Sequence, residues 1–118
     1  MILADTSVWI DHLRFGSAKL RSLLSEGQVC VHPFVIGEIA CGALQNRVSV
    51  LVDLAALPRV DCASDEEVLS FIEERKLCGK GIGWIDAHLL AAAVLSKCSL
   101  WTLDRALNRA ALTVRAAV

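Results

Sequence analysis

The sequence predicts an α/β domain built on a parallel sheet, and three observations carry that prediction. Short β-branched and apolar runs alternate with helical patterns along the chain, the arrangement that places helices on both faces of parallel strands. Two of the runs, MILAD and SLWTLD, close on an aspartate. No Gly- or Ser-rich linker divides the 118 residues, so residues 1–118 are expected to form a single domain.

MILAD reads as a short buried strand, and TSVWIDHLR follows at once as a helix with Thr6 or Ser7 available as its N-cap. A second helical pattern, SAKLRSLLSEG, stops at Gly27. QVCVH alternates as a strand. Pro33 then opens the helix PFVIGEIACGAL, where a missing N–H costs nothing, and Glu38 falls between one and two turns in. Residues 47–57 read as an amphipathic helix ending before Pro58, and RVDC as a short strand. Ser64 with Glu67 forms a capping box ahead of EEVLSFIEERKL. CGKGIG is a glycine-rich loop without the spacing of a phosphate-cradling loop, which removes the P-loop and dinucleotide readings. A helix over about 84–96, the strand SLWTL, the helix RALNRAAL and an edge segment TVRA complete the chain.

Composition excludes several classes. Apolar stretches are interrupted by Asp53, Asp86 or His88 and fall short of the roughly 18 residues of a membrane span. The first ten residues carry Asp5 and no basic segment, so a secretory signal is not expected and the protein is read as soluble and cytoplasmic. Five cysteines without a C-x-x-C pair argue against a zinc site or a disulfide framework. With a net charge of -1, attraction to nucleic acid must come from local basic clusters. A hydrophobic fraction of 55% and a mean hydropathy of +0.54 exceed ordinary usage and suggest apolar surface left for a partner or a second copy.

Four acids stand out. Asp5 and Asp104 end apolar runs, Asp86 interrupts WIDAHLLAAAVL, and Glu38 lies on a helix wall. A buried, unpaired carboxylate is costly and calls for a proton, a basic partner or a cation. Ordinary uses exist for three of them: Asp5 and Asp104 can cap the helices that follow, and Asp86 can sit in a favourable first turn. Capping does not explain Glu38. In a parallel sheet, ligands collect at the carboxyl ends of the strands, where all four acids can converge. An all-carboxylate set selects hard cations, hence Mg²⁺ or Mn²⁺, and such ions support phosphodiester hydrolysis by metal-activated water. His88 is turned about 200° from Asp86 on a helix and is not expected to share the metal, while His12 and His32 have no partner that would make them bases. Thr6 and Thr102 are candidates for orienting a carboxylate or a bound water. Of the basic residues Arg14, Arg47, Lys80, Arg105 and Arg109, Arg105 and Lys80 lie nearest to these acids in sequence and are the first candidates for contact with the phosphates of a nucleic-acid substrate.

The segments ADTSVWIDHLR, PFVIGEIACGAL, GIGWIDAHLLAAAVL and LWTLDRAL, in this order over nearly the entire chain, resemble the PIN-domain ribonucleases, and within them the VapC toxins of type II toxin–antitoxin pairs. The resemblance implies a three-layer α/β/α sandwich with a central parallel sheet. It also implies Mg²⁺-dependent endoribonuclease activity, an RNA substrate, homodimerisation and neutralisation by a cognate VapB-type antitoxin. The family's acidic quartet falls on Asp5, Glu38, Asp86 and Asp104, serving as catalytic and metal-binding residues, and the hydroxyl before the last acid falls on Thr102. Some relatives carry a further acid after the last one. Arg105, Ala106 and Leu107 stand there in this chain, a departure from the pattern of a second metal site. Two rivals remain. A phosphatase of the dehalogenase type wants a second acid where Ser7 stands, and a catalytically silent RNA- or protein-binding domain has no need of four awkward carboxylates.

Overall fold

The computed structural model describes residues 1–118. Its centre is a parallel sheet of three short strands, β1 (Ile2–Ala4), β2 (Val29–Cys30) and β3 (Ser99–Trp101), in the order β2-β1-β3. Leu3 pairs with Cys30 on one side and with Leu100 on the other. Successive strand residues point to opposite faces. Leu3 and Ala4 are both fully buried, so both faces of the sheet are covered, as the three-layer expectation requires.

Seven helices supply the cover: α1 (Thr6–Phe15), α2 (Ala18–Ser25), α3 (Pro33–Ala40), α4 (Arg47–Ala55), α5 (Asp65–Glu74), α6 (Trp84–Ser96) and α7 (Arg105–Thr113). Their starts follow local chemistry. Ser17 Oγ accepts from Leu20 N at the head of α2, and Pro33 occupies the first turn of α3, whose cap is the His32 imidazole. Ser64 and Glu67 exchange both bonds of the capping box that opens α5. Gly27, at a φ of 67°, terminates α2 in a conformation that glycine adopts at no steric cost. The seven consecutive residues from Ala87 to Ala93 are all buried, which makes α6 a helix packed on every side rather than an amphipathic one.

Two expectations are corrected. The cap of α1 is Asp5, whose Oδ1 accepts from Val8 N, and not Thr6 or Ser7, which already belong to the helix. RVDC and TVRA do not form strands. RVDC contributes a single parallel bridge, Arg59 with Val31, while Thr113 still belongs to α7 and the one bridge near the C-terminal end, Leu100 with Ala117, falls just past TVRA. All five cysteines are free, and Cys41, Cys62 and Cys78 are exposed. Cys30 and Cys98 meet across the sheet with their sulfurs 3.5 Å apart, and burial, helped by that contact, pushes the Cys30 thiol up to about 12. It is therefore a neutral, unreactive thiol. No helix is long and apolar enough to cross a membrane.

Candidate functional site

The carboxyl edge of the sheet is where the four acids meet. Asp5 follows β1 directly, and its backbone N–H donates to Trp101 O (3.0 Å), which extends the β1–β3 ladder and locks the residue against the end of β3. The residue is 95% buried and both its carboxylate oxygens are engaged. Ser7 Oγ and Val8 N donate to Oδ1, while Thr102 Oγ1 donates to Oδ2. Thr102, itself buried, also accepts from Asp104 N (3.0 Å), so one hydroxyl ties the first acid to the backbone of the last.

Glu38 reaches the edge from α3, which leaves the end of β2, and Thr6 Oγ1 donates to its Oε1 (2.8 Å). Asp86 sits in the first turn of α6 and accepts from Gly83 N through Oδ2 (3.2 Å). Asp104 caps α7, its Oδ1 accepting from Ala106 N (2.8 Å) and Leu107 N (3.3 Å). The ordinary capping uses are thus real for all three aspartates. They consume only part of the donor capacity. Glu38 Oε2, Asp86 Oδ1 and Asp104 Oδ2 receive no protein donor, and no Lys or Arg lies within ion-pair distance of any of the four acids.

Proximity is registered in the electrostatics of Asp86. Burial holds its carboxyl above the ordinary range against the opposing Gly83 amide, and the negative charges of Asp104, Asp5 and Glu38 push it further up. One residue feels all three of the others. The acids nevertheless do not form a closed cage, since no three potential ligands stand close enough to enclose an ion by themselves. The edge is an open negative cluster, with three helix N-termini, those of α1, α6 and α7, directed at it.

Burial differs from the sequence expectation. Only Asp5 is buried; Asp86 is half-buried, and Glu38 and Asp104 are exposed, so the cost of a desolvated lone charge applies to the first acid and in part to the third. The histidines stay out of the cluster. His88 packs edge-on against Trp84 and Phe34 and lies 3.2 Å from Asp65 without the alignment of a hydrogen bond, while His12 Nδ1 accepts from Ser17 N. Ser7 is the residue that the sequence reading assigned no part in the site. It donates to Asp5 and accepts from Leu103 N (3.0 Å), and the signal for it was a hydroxyl two residues after a strand-ending acid. Among the basic candidates, Lys80 lines a concavity beside the edge together with Arg109, whereas Arg105 does not line it.

The donor set fits a hard divalent cation. Carboxylate oxygens are its only ionisable donors, three of them are free of protein partners, and thiol and imidazole are absent. Comparison with known proteins points the same way. Residues 2–112 match the PIN domain. Ribonuclease VapC32 of Mycobacterium tuberculosis, from strain CDC 1551 / Oshkosh and from strain ATCC 25618 / H37Rv, is 43% identical over 111 residues, which covers 93% of this chain and 90% of the relative.

Proposed function

The chain belongs to the PIN-domain family, within it to the VapC ribonucleases, and from that premise we propose that it is a metal-dependent endoribonuclease acting as the toxin of a type II toxin–antitoxin pair. The observation that carries the reading is the convergence of Asp5, Glu38, Asp86 and Asp104 with three carboxylate oxygens left without protein partners.

Asp5, Glu38, Asp86 and Asp104 would hold Mg²⁺ or Mn²⁺. When bound, the ion supplies a water of lowered pKa and Lewis-acid stabilisation of charge on the phosphoryl group. The chain's own part is to aim the ligands. Thr102, Ser7 and Val8 N fix both oxygens of Asp5, so this carboxylate enters the reaction in one orientation. Thr6 restrains Glu38, whose helix position would otherwise leave a long exposed side chain free to rotate. Gly83 N and Ala106 N hold Asp86 and Asp104 by one oxygen each and leave the other without a protein partner. With no imidazole at the edge, there is no histidine pair to activate the RNA's own 2′-hydroxyl, which favours attack by water. Attack by water then leaves a 5′-phosphate and a 3′-hydroxyl.

A VapB-type antitoxin is the corresponding partner. Phe34, on the helix α3 that carries Glu38, and Val48 and Val52, on the adjacent α4, are exposed apolar side chains, and they supply surface for a partner's apolar side chains or for a second copy of the chain. An antitoxin arginine reaching the acids would pair with a carboxylate bidentately and occupy the ion's place. The test is expression without the partner, in which the parent is expected to arrest growth and Asp5→Ala to relieve the arrest at matched protein level. An Asp5→Ala variant as toxic as the parent would separate toxicity from cleavage and overturn the reading.

A further inference from the structure

A concavity of about 430 Å³ opens beside the carboxylate edge, between the end of α5, the loop that follows it and one face of α7. Four cations line it, Arg75, Lys76, Lys80 and Arg109, and no acid does. None of the four has a carboxylate within 4.0 Å, for the one ion-pair contact in the chain is that between His88 and Asp65. In a chain of net charge -1, this is a local positive field that the fold leaves unneutralised.

The walls explain how the cations come together. On α7, Ala106, Arg109, Ala110 and Thr113 recur at the spacing of one helix face, and the two alanines leave room that larger side chains would fill. Opposite, Leu77 is buried in the core and anchors the chain, so that Arg75 and Lys76 on one side of it and Lys80 on the other stay at the surface. Gly81, at a φ of 82°, brings the loop against α7: a Cβ built there would lie 3.4 Å from Ala106 Cβ.

Both walls run into the acidic edge. Ala106, which lines the concavity, donates its backbone N–H to Asp104, and the loop of Lys80 ends at Gly83, which donates to Asp86. A polyanion lying on the four cations is thereby led to Asp86 and Asp104, two of the three carboxylates with a free oxygen. No aromatic side chain lines the concavity, so there is no platform for stacking a base, and what it can grip is phosphate: Arg by paired N–H donors, Lys as a point charge.

We propose that Arg75, Lys76, Lys80 and Arg109 form a sequence-independent phosphate-backbone site that guides a single RNA strand to the carboxylate edge. The site deepens the nuclease reading and rests on it for the identity of the polyanion. It separates two tasks on the surface of the chain: the cations set affinity, and selectivity between sequences arises elsewhere.

The test is fluorescence anisotropy of the intact protein with a labelled single-stranded RNA oligonucleotide in EDTA, over a range of salt concentration. The double variants Lys80→Gln/Arg109→Gln and Arg75→Gln/Lys76→Gln are compared with Arg21→Gln/Lys97→Gln, which removes the same charge from exposed positions off the concavity. Each groove variant is expected to bind at least about tenfold more weakly at low salt, with the slope of log K against log salt shallower by about 1.4 for two lost phosphate contacts. The control is expected to keep the parent's slope. In Mg²⁺, the groove variants should show raised KM with kcat little changed, and melting curves like the parent's establish that they fold. Parent-like affinity and slope in both groove variants would overturn the proposal, as would absence of RNA binding by the parent. Loss of antitoxin binding with RNA binding intact would reassign the cations to a protein partner and equally overturn it. If the parent binds RNA through the groove but cuts none with Mg²⁺ or Mn²⁺, the nuclease reading falls and the groove stands; if it cuts and the groove variants bind normally, the reverse holds.

Discussion

Asp5 is the residue on which the site is built, because it alone is buried and it alone has both oxygens held by the protein. Removing one of its donors should therefore be felt twice. Thr102→Val is expected to destabilise the fold by about 1–3 kcal/mol, since a buried carboxylate oxygen loses its partner, and to lower kcat more than it changes KM. Urea unfolding and steady-state cleavage measure the two effects; wild-type stability in the valine variant would show that the hydroxyl does not hold Asp5. The sequence pointed to Asp5 and Thr102 through their place at strand ends. It did not point to Ser7, because a hydroxyl in the first helical turn looks like an ordinary cap until the tertiary contact with Leu103 is visible.

His32 gives a second expectation at this scale. Burial lowers its imidazole to about 4, with the nearby His88 acting in the same direction, and its Nδ1 accepts from Phe34 N, which only the neutral ring can do. His88 and, beyond it, Asp65 are the titratable groups on the packed neighbours. The folded protein thus binds this proton less readily than the unfolded chain, whose imidazole titrates near 6.5. Stability from this group is complete above that value, falls as pH drops from about 6.5 to about 4, and is flat below, for a total of up to about 3 kcal/mol. Denaturant midpoints of the parent and of His32→Asn between pH 7 and pH 4 check this. An equal decline in both would remove His32 as the cause.

Element order was legible because the hydrophobic period changes sharply where strands give way to helices, and helix starts carried recognisable caps. The capping box of Ser64 and Glu67 and the Pro33 start stand as read. RVDC and TVRA failed as strands because alternation over a few residues does not say whether a partner strand runs alongside. The grouping of Arg75, Lys76 and Lys80 with Arg109 was hidden for the same reason: the contact is made by the meeting of a loop with a helix face far along the chain. Helix α2 offers an isolated check of local chemistry. Ser17→Ala removes the acceptor for Leu20 N and is expected to cost about 1 kcal/mol without loss of cleavage, because the cap lies on an element that brings no acid to the edge. An unchanged melting temperature would count against the cap's contribution.

For the whole molecule, one core of 23 buried apolar residues joins the sheet to helices on both faces, and Leu100, fully buried on β3, belongs to it. Leu100→Ala is expected to cost about 2–5 kcal/mol, a large share of the stability of a domain this size, and to disturb the edge by shifting Trp101 and Thr102. Acids that repel one another at that edge should also make the fold sensitive to a counter-ion. With Mg²⁺ or Mn²⁺ at a hundredfold excess over its Kd, the native state gains about 2.7 kcal/mol, which a rise in melting temperature would report and which Asp104→Asn should reduce.

The most direct test of the central claim is the fate of a single-stranded RNA incubated with the purified protein in Mg²⁺ or Mn²⁺ and in EDTA, with the new ends identified chemically and Asp5→Asn run beside the parent. The expected result is cleavage by the parent only when the divalent ion is present, 5′-phosphate and 3′-hydroxyl ends, and no cleavage by Asp5→Asn although it still binds the RNA. Cleavage that survives EDTA, ends carrying a cyclic phosphate, or an Asp5→Asn variant as active as the parent would contradict the assignment of the carboxylate edge as a metal-dependent nuclease site.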